Sequence, residues 1–221
     1  MRIRILPSAG LAALLLAGGC SSEGGVWGEY FQIMRQSIGA SFHKTSVARD
    51  QAASIPYASL GYRINGGNEG ILVLATDSNG EQLWTAASHV VLLTRGGRVL
   101  RSVGLPHDIA GTMPQGGALP PLSDALRGPY RSTRTVDLPD IGAYGVSLNC
   151  TTTARGPQAI SIIGTTIDTV RIDETCRSNR PYWSFTDNYW IDAKTGFTWH
   201  SIQHLHPVGT TIQIEVFRPP V

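Results

Sequence analysis

The pattern of apolar and polar residues changes its period once along the chain. Apolar residues recur at steps of four, three and four at Trp27, Phe31, Met34 and Ile38, which gathers their side chains on one face of a helix predicted from about Val26 to Ser37. From Ile55 onward the period becomes two, the spacing of strands with one buried face. The pattern therefore predicts a short N-terminal helix followed by a long β region.

Turn signals divide that β region into about ten to twelve strands at intervals of about 8 to 12 residues. The glycines of Arg95-Gly96-Gly97 permit the positive φ angles of a tight hairpin. Residues 166–176 are predicted to be one strand. Residues 106–128 are rich in Pro and Gly and form a long central connection, with one helical turn predicted at 122–126. The fold class predicted is mainly β, an antiparallel meander forming a barrel, a half-barrel or a sandwich.

The first 20 residues have the organisation of a secretory signal. Arg2 and Arg4 precede an apolar run at 11–17, which is too short to cross a bilayer, and Gly18-Gly19 come directly before Cys20. A cysteine after small residues resembles the lipobox of bacterial lipoproteins, although Ala17 stands where Leu is commoner. The alternative is an ordinary signal peptide that contains a cysteine. We predict a signal peptide at 1–19, a lipidated tether at 20–25 and a single β-rich domain at 26–221.

The resemblance to bacterial lipoproteins implies acylation of Cys20, with a diacylglycerol on the thiol and a further fatty acid such as palmitate on the new amine. Ser21 and Ser22 follow the cysteine where an Asp would mark retention in the inner membrane. The resemblance therefore implies an outer-membrane protein anchored on the periplasmic side. Several acyl chains, at about 0.8 kcal/mol per buried methylene, make such an anchor stable.

Charge argues against nucleic acid as a partner. The chain has 18 basic and 16 acidic residues, and loss of Arg2 and Arg4 with the signal would balance them. Lysine occurs only at Lys44 and Lys194, so the chain has no basic block of the kind that binds nucleic acid. With Cys20 assigned to lipid, Cys150 and Cys176 are left, and we expect them to form a disulfide in an oxidising compartment. The alternative is a pair of free buried thiols.

Aromatic residues concentrate near the C-terminus, and four of them are candidates for contact with a glycan or an apolar ligand: Trp183, Tyr189, Trp190 and Trp199. Flat rings can pair with the apolar faces of sugars. The competing interpretation is that they fill the inside of a curved sheet, since each ring buries about 150 to 250 Å².

The sequence gives little indication of catalytic or metal-binding residues. His200, His204 and His206 share a strand face by parity, but Pro207 ends the strand and no Cys or Glu follows at a matching spacing, so we assign no metal ligands. Hydrolysis of a glycosidic bond uses two carboxyl groups, and two pairs are candidates only because they are close in the sequence: Asp137 with Asp140 and Asp173 with Glu174. The sequence has no nucleophile elbow, phosphate loop or zinc-protease motif. We predict no catalytic residues, no enzyme activity and no cofactor.

Several strings taken together resemble the YjbF/GfcB family of outer-membrane lipoproteins, which are encoded with genes for exopolysaccharide or group 4 capsule production. The strings are IPYASL at 55–60, LVLA at 72–75, LTRGGRV at 93–99, VGLPHD at 103–108, YWID at 189–192 with Thr195-Gly196, and RPP at 218–220. The resemblance implies a non-catalytic accessory in polysaccharide secretion or assembly, with polysaccharide and export proteins as partners. Residues 111–121 and the Cys150 and Cys176 pair are less typical of the family.

Two other functions remain open at this point. The hairpin at Trp190-Ile191-Asp192 with Thr195-Gly196 also resembles one in half-barrel carriers of lipoproteins, so the protein could carry apolar cargo in the periplasm. A glycan-acting enzyme built on the acidic pairs is the second alternative.

Overall fold

The structure, a computed structural model, describes residues 47 and 49–220. The predicted signal peptide, the tether with Cys20 and the helix at 26–37 lie outside the described residues. Within them the chain forms the helix α1 (Arg49–Ala53), 3₁₀ turns at Leu122–Leu126 and Pro139–Ile141, and fourteen strands. The strands are β1 (Ser59–Ile64), β2 (Glu69–Ser78), β3 (Glu81–Thr85), β4 (Val91–Arg95), β5 (Arg98–Val103), β6 (Gly111–Pro114), β7 (Tyr130–Leu138), β8 (Ala143–Pro157), β9 (Ile160–Ile162), β10 (Thr165–Ile167), β11 (Val170–Asn179), β12 (Tyr182–Ile191), β13 (Thr198–His206) and β14 (Thr210–Arg218).

Twelve of these strands form one antiparallel sheet, and β9 with β10 form a separate hairpin. The order in the sheet is β5-β4-β3-β2-β1-β14-β13-β12-β11-β8-β7-β6, so the last strand pairs with the first. The two edges of the sheet lie close together. The amide of Ser102, in β5, donates to the carbonyl of Ile109, just before β6, at 3.0 Å. The Ile109 amide in turn donates to the Ser102 hydroxyl at 3.1 Å. The sheet is therefore a nearly closed barrel.

Period-two alternation fixes which residues face the barrel interior. In β12, Trp183, Phe185 and Tyr189 are buried while Tyr182 and Ser184 on the other parity are exposed. Alternate residues from the other strands fill the same interior, and this core includes Leu60, Leu72, Trp84, Leu92, Val136, Leu148, Leu205 and Ile212. The core thus lies inside the barrel, as expected when successive side chains point to opposite faces of a strand.

The predicted fold class is confirmed. The hairpin at 95–97 is present, with φ angles of 55° at Gly96 and 83° at Gly97, and the turn predicted at 122–126 is the 3₁₀ turn Leu122–Leu126. No helix among the described residues is both long enough and apolar enough to cross a membrane.

Two local predictions are wrong. Residues 166–176 are not one strand, because the chain turns at 168–169, where the Gln158 amide donates to the Thr169 carbonyl at 2.8 Å. The central connection also contains a strand, β6, which pairs with β7 at the sheet edge. An edge tolerates the proline at its end, since one side of an edge strand needs no ladder hydrogen bond.

Candidate functional site

The β9–β10 hairpin forms one wall of a cleft on the outside of the barrel. The hairpin leaves the sheet after β8, turns at Ile163 and Gly164, and buries Ile162 to 3% exposure. Together with outward side chains of β12, β13 and β14 it encloses a volume of about 230 Å³. We call this the hairpin cleft; its lining includes Ile160, Ile162, Trp190, His200, Gln213 and Glu215.

Trp190 is the aromatic residue of the hairpin cleft. Strand parity points it away from the barrel interior, yet the indole is only 7% exposed. The His200 ring lies 4.5 Å from it between centroids, and the Arg171 guanidinium lies 5.6 Å from its ring centroid. The indole Nε1 is buried and has no hydrogen-bond partner among the described residues. Because a buried N–H without a partner is costly, an acceptor oxygen that reached this donor would stabilise it.

The polar side chains of the cleft supply acceptors and a neutral imidazole. Gln213 Nε2 donates to Glu215 Oε1 at 2.9 Å, and His200 Nδ1 lies 3.7 Å from the same oxygen. Burial lowers the pKa of His200 to about 4 and raises the pKa of Glu215. His200 is therefore uncharged at neutral pH, and its contact with Glu215 is not an ion pair there. The cleft combines a free indole donor with carboxylate and amide groups, which suits a ligand rich in hydroxyl groups.

A second polar group of residues lies inside the barrel, where Glu174 of β11 sits between two arginines. Arg98 Nη2 is 3.0 Å from Oε1 of Glu174, and Arg134 Nη1 is 2.8 Å from Oε2. We call these three residues the interior triad. Burial of Glu174 would raise its pKa, but the charges of Arg134 and Arg98 outweigh burial and lower the pKa to about 2.

The predicted disulfide is present beside the interior triad. Cys150 of β8 and Cys176 of β11 are direct partners in the strand register and form the bond. Both are buried, and Arg134 Nη2 lies 3.6 Å from the sulfur of Cys176. The disulfide therefore joins two neighbouring strands of the barrel wall from the inside.

The structure separates the four predicted aromatic contacts. Trp183 and Tyr189 lie inside the barrel at 7% and 0% exposure. Trp199 is half-buried, packs edge-on to Phe197 at 4.9 Å, and lines a mostly apolar cavity of about 100 Å³ that also includes Trp84. Trp190 alone of the four lines the hairpin cleft. A glycan on the outer surface can thus meet Trp190, whereas Trp183 and Tyr189 serve as core.

The barrel interior has little room for cargo. The cavity beside Arg98, Arg134 and Tyr189 measures about 20 Å³, which is room for about one water molecule. Side chains fill most of the interior formed by the described residues, and the cavity near Trp199 measures about 100 Å³, which is small for an apolar cargo molecule.

The predicted histidines and acidic pairs do not gather into one site. His200 contacts Trp190, and the ring of His204 lies 3.1 Å from Asp187. A register irregularity between His204 and His206 changes the strand parity, so His206 does not share their surroundings.

The carboxylates proposed as pairs are also separated. Asp173 and Glu174 are consecutive on β11 and face opposite sides of the barrel wall, while Asp137 accepts the amide of Gly145 at 2.7 Å. Asp140 contacts His107 instead. Sequence reasoning missed Gln213 and Glu215, because nothing in the sequence indicates that a hairpin from residues 160–167 would cover them.

The described residues define a class of fold, a nearly closed antiparallel barrel. The profile of the family described as "Group 4 capsule polysaccharide lipoprotein gfcB, YjbF" matches residues 35–217, and the chain belongs to this family. The resemblance drawn from the sequence strings is thereby confirmed.

Comparisons with proteins of Escherichia coli K12 find one similar sequence and one similar structure. The chain is 25% identical over 177 residues to the uncharacterized lipoprotein GfcB, covering 79% of this chain and 82% of the relative. The crystal structure of the hypothetical lipoprotein YmcC superposes with a TM-score of 0.67 at 22% identity, covering 86% of this chain and 95% of the other. The structural likeness supports the fold of the barrel.

Proposed function

We propose that this protein is an outer-membrane lipoprotein that acts as a non-catalytic accessory in the secretion or assembly of group 4 capsule polysaccharide. The observation that carries the proposal is the family match across residues 35–217. The lipobox-like sequence at Cys20 supports a lipid anchor, and Ser21 and Ser22 after it support the outer membrane and its periplasmic face.

The hairpin cleft is the place where we propose that the protein contacts the polysaccharide. A sugar hydroxyl both donates and accepts hydrogen bonds, so the carboxylate of Glu215 and the unpartnered Nε1 of Trp190 can serve it together once a shift of the hairpin exposes that nitrogen. The volume of about 230 Å³ lies just below the range of drug-sized sites and suits a single sugar unit rather than a long oligosaccharide. His200 and Arg171 already lie against the Trp190 ring, so recognition at this residue depends on its N–H more than on stacking.

The surroundings of the predicted pair Asp173 and Glu174 do not suit the general acid of a glycosidase. Hydrolysis of a glycosidic bond uses a carboxylic acid that is protonated near neutral pH. The pKa of Glu174 is about 2, and the hydrogen bonds that Arg171, Arg155 and Asn188 donate outweigh burial and lower the pKa of Asp173 as well. Both groups stay ionised at neutral pH, so neither is suited to act as the general acid.

The first experiment tests the biological role and the anchor. In the strain that carries this gene, the gene is deleted and restored as wild type or as Cys20→Ala, and surface capsule polysaccharide is measured while expression of the capsule genes is monitored. We expect the deletion to lose most surface polysaccharide, wild type to restore it and Cys20→Ala to restore little. Unchanged surface polysaccharide in the deletion strain, with the capsule genes expressed, would overturn the proposal.

The second experiment tests the cleft. Capsule polysaccharide purified from the same strain is titrated onto the purified wild type, Trp190→Phe and Glu215→Gln, with Glu81→Gln in an exposed ion pair as the matched control. Trp190→Phe keeps an aromatic ring and removes the N–H, so we expect binding about tenfold weaker, which corresponds to about 1.4 kcal/mol. Binding by the two cleft variants equal to that of Glu81→Gln would place the contact elsewhere, even if the deletion phenotype holds.

A third experiment addresses protein partners. Membranes are solubilised and proteins bound to the lipoprotein are compared between wild type and Cys20→Ala. Export proteins recovered with the wild type would support the accessory role. If the same partners remain with Cys20→Ala, then the barrel itself recruits them and membrane placement does not.

A further inference from the structure

Three segments far apart in the sequence meet at one end of the barrel. Strands β5, β7 and β13 run in the same direction in the sheet, so their C-terminal ends lie at the same end. His107 follows β5, Asp140 lies in the 3₁₀ turn after β7, and His206 is the last residue of β13. This end of the barrel is distinct from the hairpin cleft, and nothing in the proposed contact with polysaccharide uses it.

The three side chains bring their metal-ligating atoms close together. His107 Nδ1 lies 2.6 Å from one oxygen of Asp140, and His206 Nε2 lies 2.9 Å from the other. The two imidazole rings are stacked, with 4.9 Å between centroids and 19° between planes. One nitrogen from each ring and one carboxylate oxygen all lie within 4.8 Å of one another.

His206 is the buried member of the group. Its side chain is 0% exposed, and its Nε2 lies 2.9 Å from Asp140 Oδ1. His107 and Asp140 are 38% and 33% exposed, so the opposite side of the group is open to water. The His206 imidazole faces a carboxylate and a second imidazole, and its Nε2 becomes a metal ligand once its proton leaves that nitrogen.

Hydrogen bonds hold the turns that carry His107 and Asp140. Asp108, next to His107, accepts the hydroxyl of Ser102 at 2.7 Å and the amides of Gly104 and Leu105 at 3.0 and 3.1 Å. The turn that carries Asp140 is closed by the Gly142 amide, which donates to the Pro139 carbonyl at 3.1 Å. Ligands held on fixed turns and a strand end lose little freedom when they bind an ion.

We propose that His107, Asp140 and His206 bind one divalent transition-metal ion of the zinc class, with water completing the coordination. Two imidazoles and a carboxylate form a ligand set that zinc accepts, with one position left open to solvent. Ligand atoms that share a zinc ion at about 2.1 Å lie about 3.4 Å apart in a tetrahedral site. The nitrogen–oxygen separations of 2.6 and 2.9 Å, which involve different oxygens of Asp140, need to open by less than about 1 Å, and a pair of ligand atoms at the 4.8 Å limit would need to close by about 1.4 Å.

Metal binding has one identifiable cost. The Val208 amide donates to Nδ1 of His206 at 3.3 Å, a long hydrogen bond that places the imidazole proton on Nε2. When Nε2 binds a metal, the proton moves to Nδ1 and this hydrogen bond opens. Binding therefore predicts a change at Val208 as well as at the ligands, which provides a readout separate from affinity.

The test uses the full chain purified in detergent without a histidine tag and stripped of metal with a chelator. ZnCl₂ is titrated by calorimetry into wild type, His107→Gln and Asp140→Asn, both substitutions at partly exposed positions, and into His89→Asn, which alters an exposed histidine elsewhere. We expect one ion per chain for wild type and for His89→Asn, and affinity about 100-fold weaker or more for the other two. Thermal melting without metal checks that all four proteins are folded.

Two spectroscopic readouts complete the test. Co²⁺ should give visible absorption bands typical of bound cobalt in wild type and not in His107→Gln, and the amide resonance of Val208 should shift on Zn²⁺ addition. Absence of saturable binding by wild type would overturn the proposal and leave a metal-free cluster of hydrogen bonds. Equal affinity in wild type and both ligand variants would overturn it as well.

Discussion

Two neighbouring carboxylates on β11 show how the barrel wall separates two environments. Glu174 faces the interior and contacts Arg98 and Arg134, and Asp173 faces outward and contacts Arg155 and Arg171. The nitrogen–oxygen distances are nearly the same, 2.8 to 3.0 Å inside and 2.8 Å outside. What differs is how exposed the arginine side chains are. Inside the barrel, Arg98 is 6% exposed and Arg134 8%. Outside, Arg155 is 57% exposed and Arg171 35%.

The comparison teaches that contact distance alone does not set the energetic weight of an ion pair. In the interior triad all three charges have lost their water, so each depends on the others for compensation. Outside, Arg155 and Arg171 keep much of their hydration and would remain solvated if Asp173 were neutral. We therefore expect one carboxylate to be critical for stability and its neighbour to matter little.

The largest effect is expected from Glu174→Gln. The substitution keeps the shape of the side chain but leaves Arg98 and Arg134 buried without a counter-charge, so we expect the free energy of unfolding to fall by about 3 to 5 kcal/mol. Urea denaturation followed by tryptophan fluorescence measures this loss.

A triple substitution provides the control for that prediction. Replacing Arg98 with Met, Glu174 with Leu and Arg134 with Met removes all three buried charges together, and we expect most of the lost stability to return. If Glu174→Gln costs less than about 1 kcal/mol, the interior triad is not the desolvated network that the structure indicates.

Protonation of Glu174 at low pH should lower the stability of the protein. The pKa of Glu174 is about 2 in the folded protein against an ordinary 4.5. Because the folded pKa is the lower one, the stabilisation is fully present above about pH 4.5 and is lost as the pH falls toward 2; it is on the order of 3 kcal/mol. Stability measured against pH should decline less steeply over this window in Glu174→Gln. Parallel decline in both proteins would assign acid lability to other groups.

The disulfide inside the barrel should contribute a similar amount to the free energy of unfolding. Cys150 and Cys176 are 26 residues apart, and a loop of this length corresponds to about 3 kcal/mol of stability in the chain-entropy account. We expect the Cys150→Ala/Cys176→Ala double variant to lose about this much in urea denaturation. Reductant should destabilise wild type and leave the double variant unchanged; an equal response in both would mean that the bond contributes little.

Much of this fold follows from local patterns. The β4–β5 hairpin is predictable because two glycines allow its positive φ angles, and the alternation in residues 182–191 predicts which side chains of β12 enter the core. Strand β6 escaped prediction because four residues, GTMP, hold too little alternation to stand out, and its pairing with β7 is a tertiary contact.

The sites were less predictable because they depend on distant segments. Parity places Trp190 on the outer face, but only the path of residues 160–167 covers it and creates the hairpin cleft. His206 looked like a partner of His200 and His204 by strand spacing, and a register irregularity before it turned it toward His107 and Asp140 instead. Such contacts have no period in the sequence from which they could be inferred.

The smallest effect is expected from Asp173→Asn, which tests the outer half of the comparison. The hydrogen bonds from Arg171, Arg155 and Asn188 outweigh burial and lower the pKa of Asp173, so its contribution is present above the ordinary Asp pKa and lost as the pH falls below it. Because the partner arginines remain hydrated, we expect a loss of about 1 kcal/mol or less in urea denaturation, and a smaller loss still in 1 M salt. A loss equal to that of Glu174→Gln, or one insensitive to salt, would mean that burial of the arginines is not what distinguishes the two carboxylates.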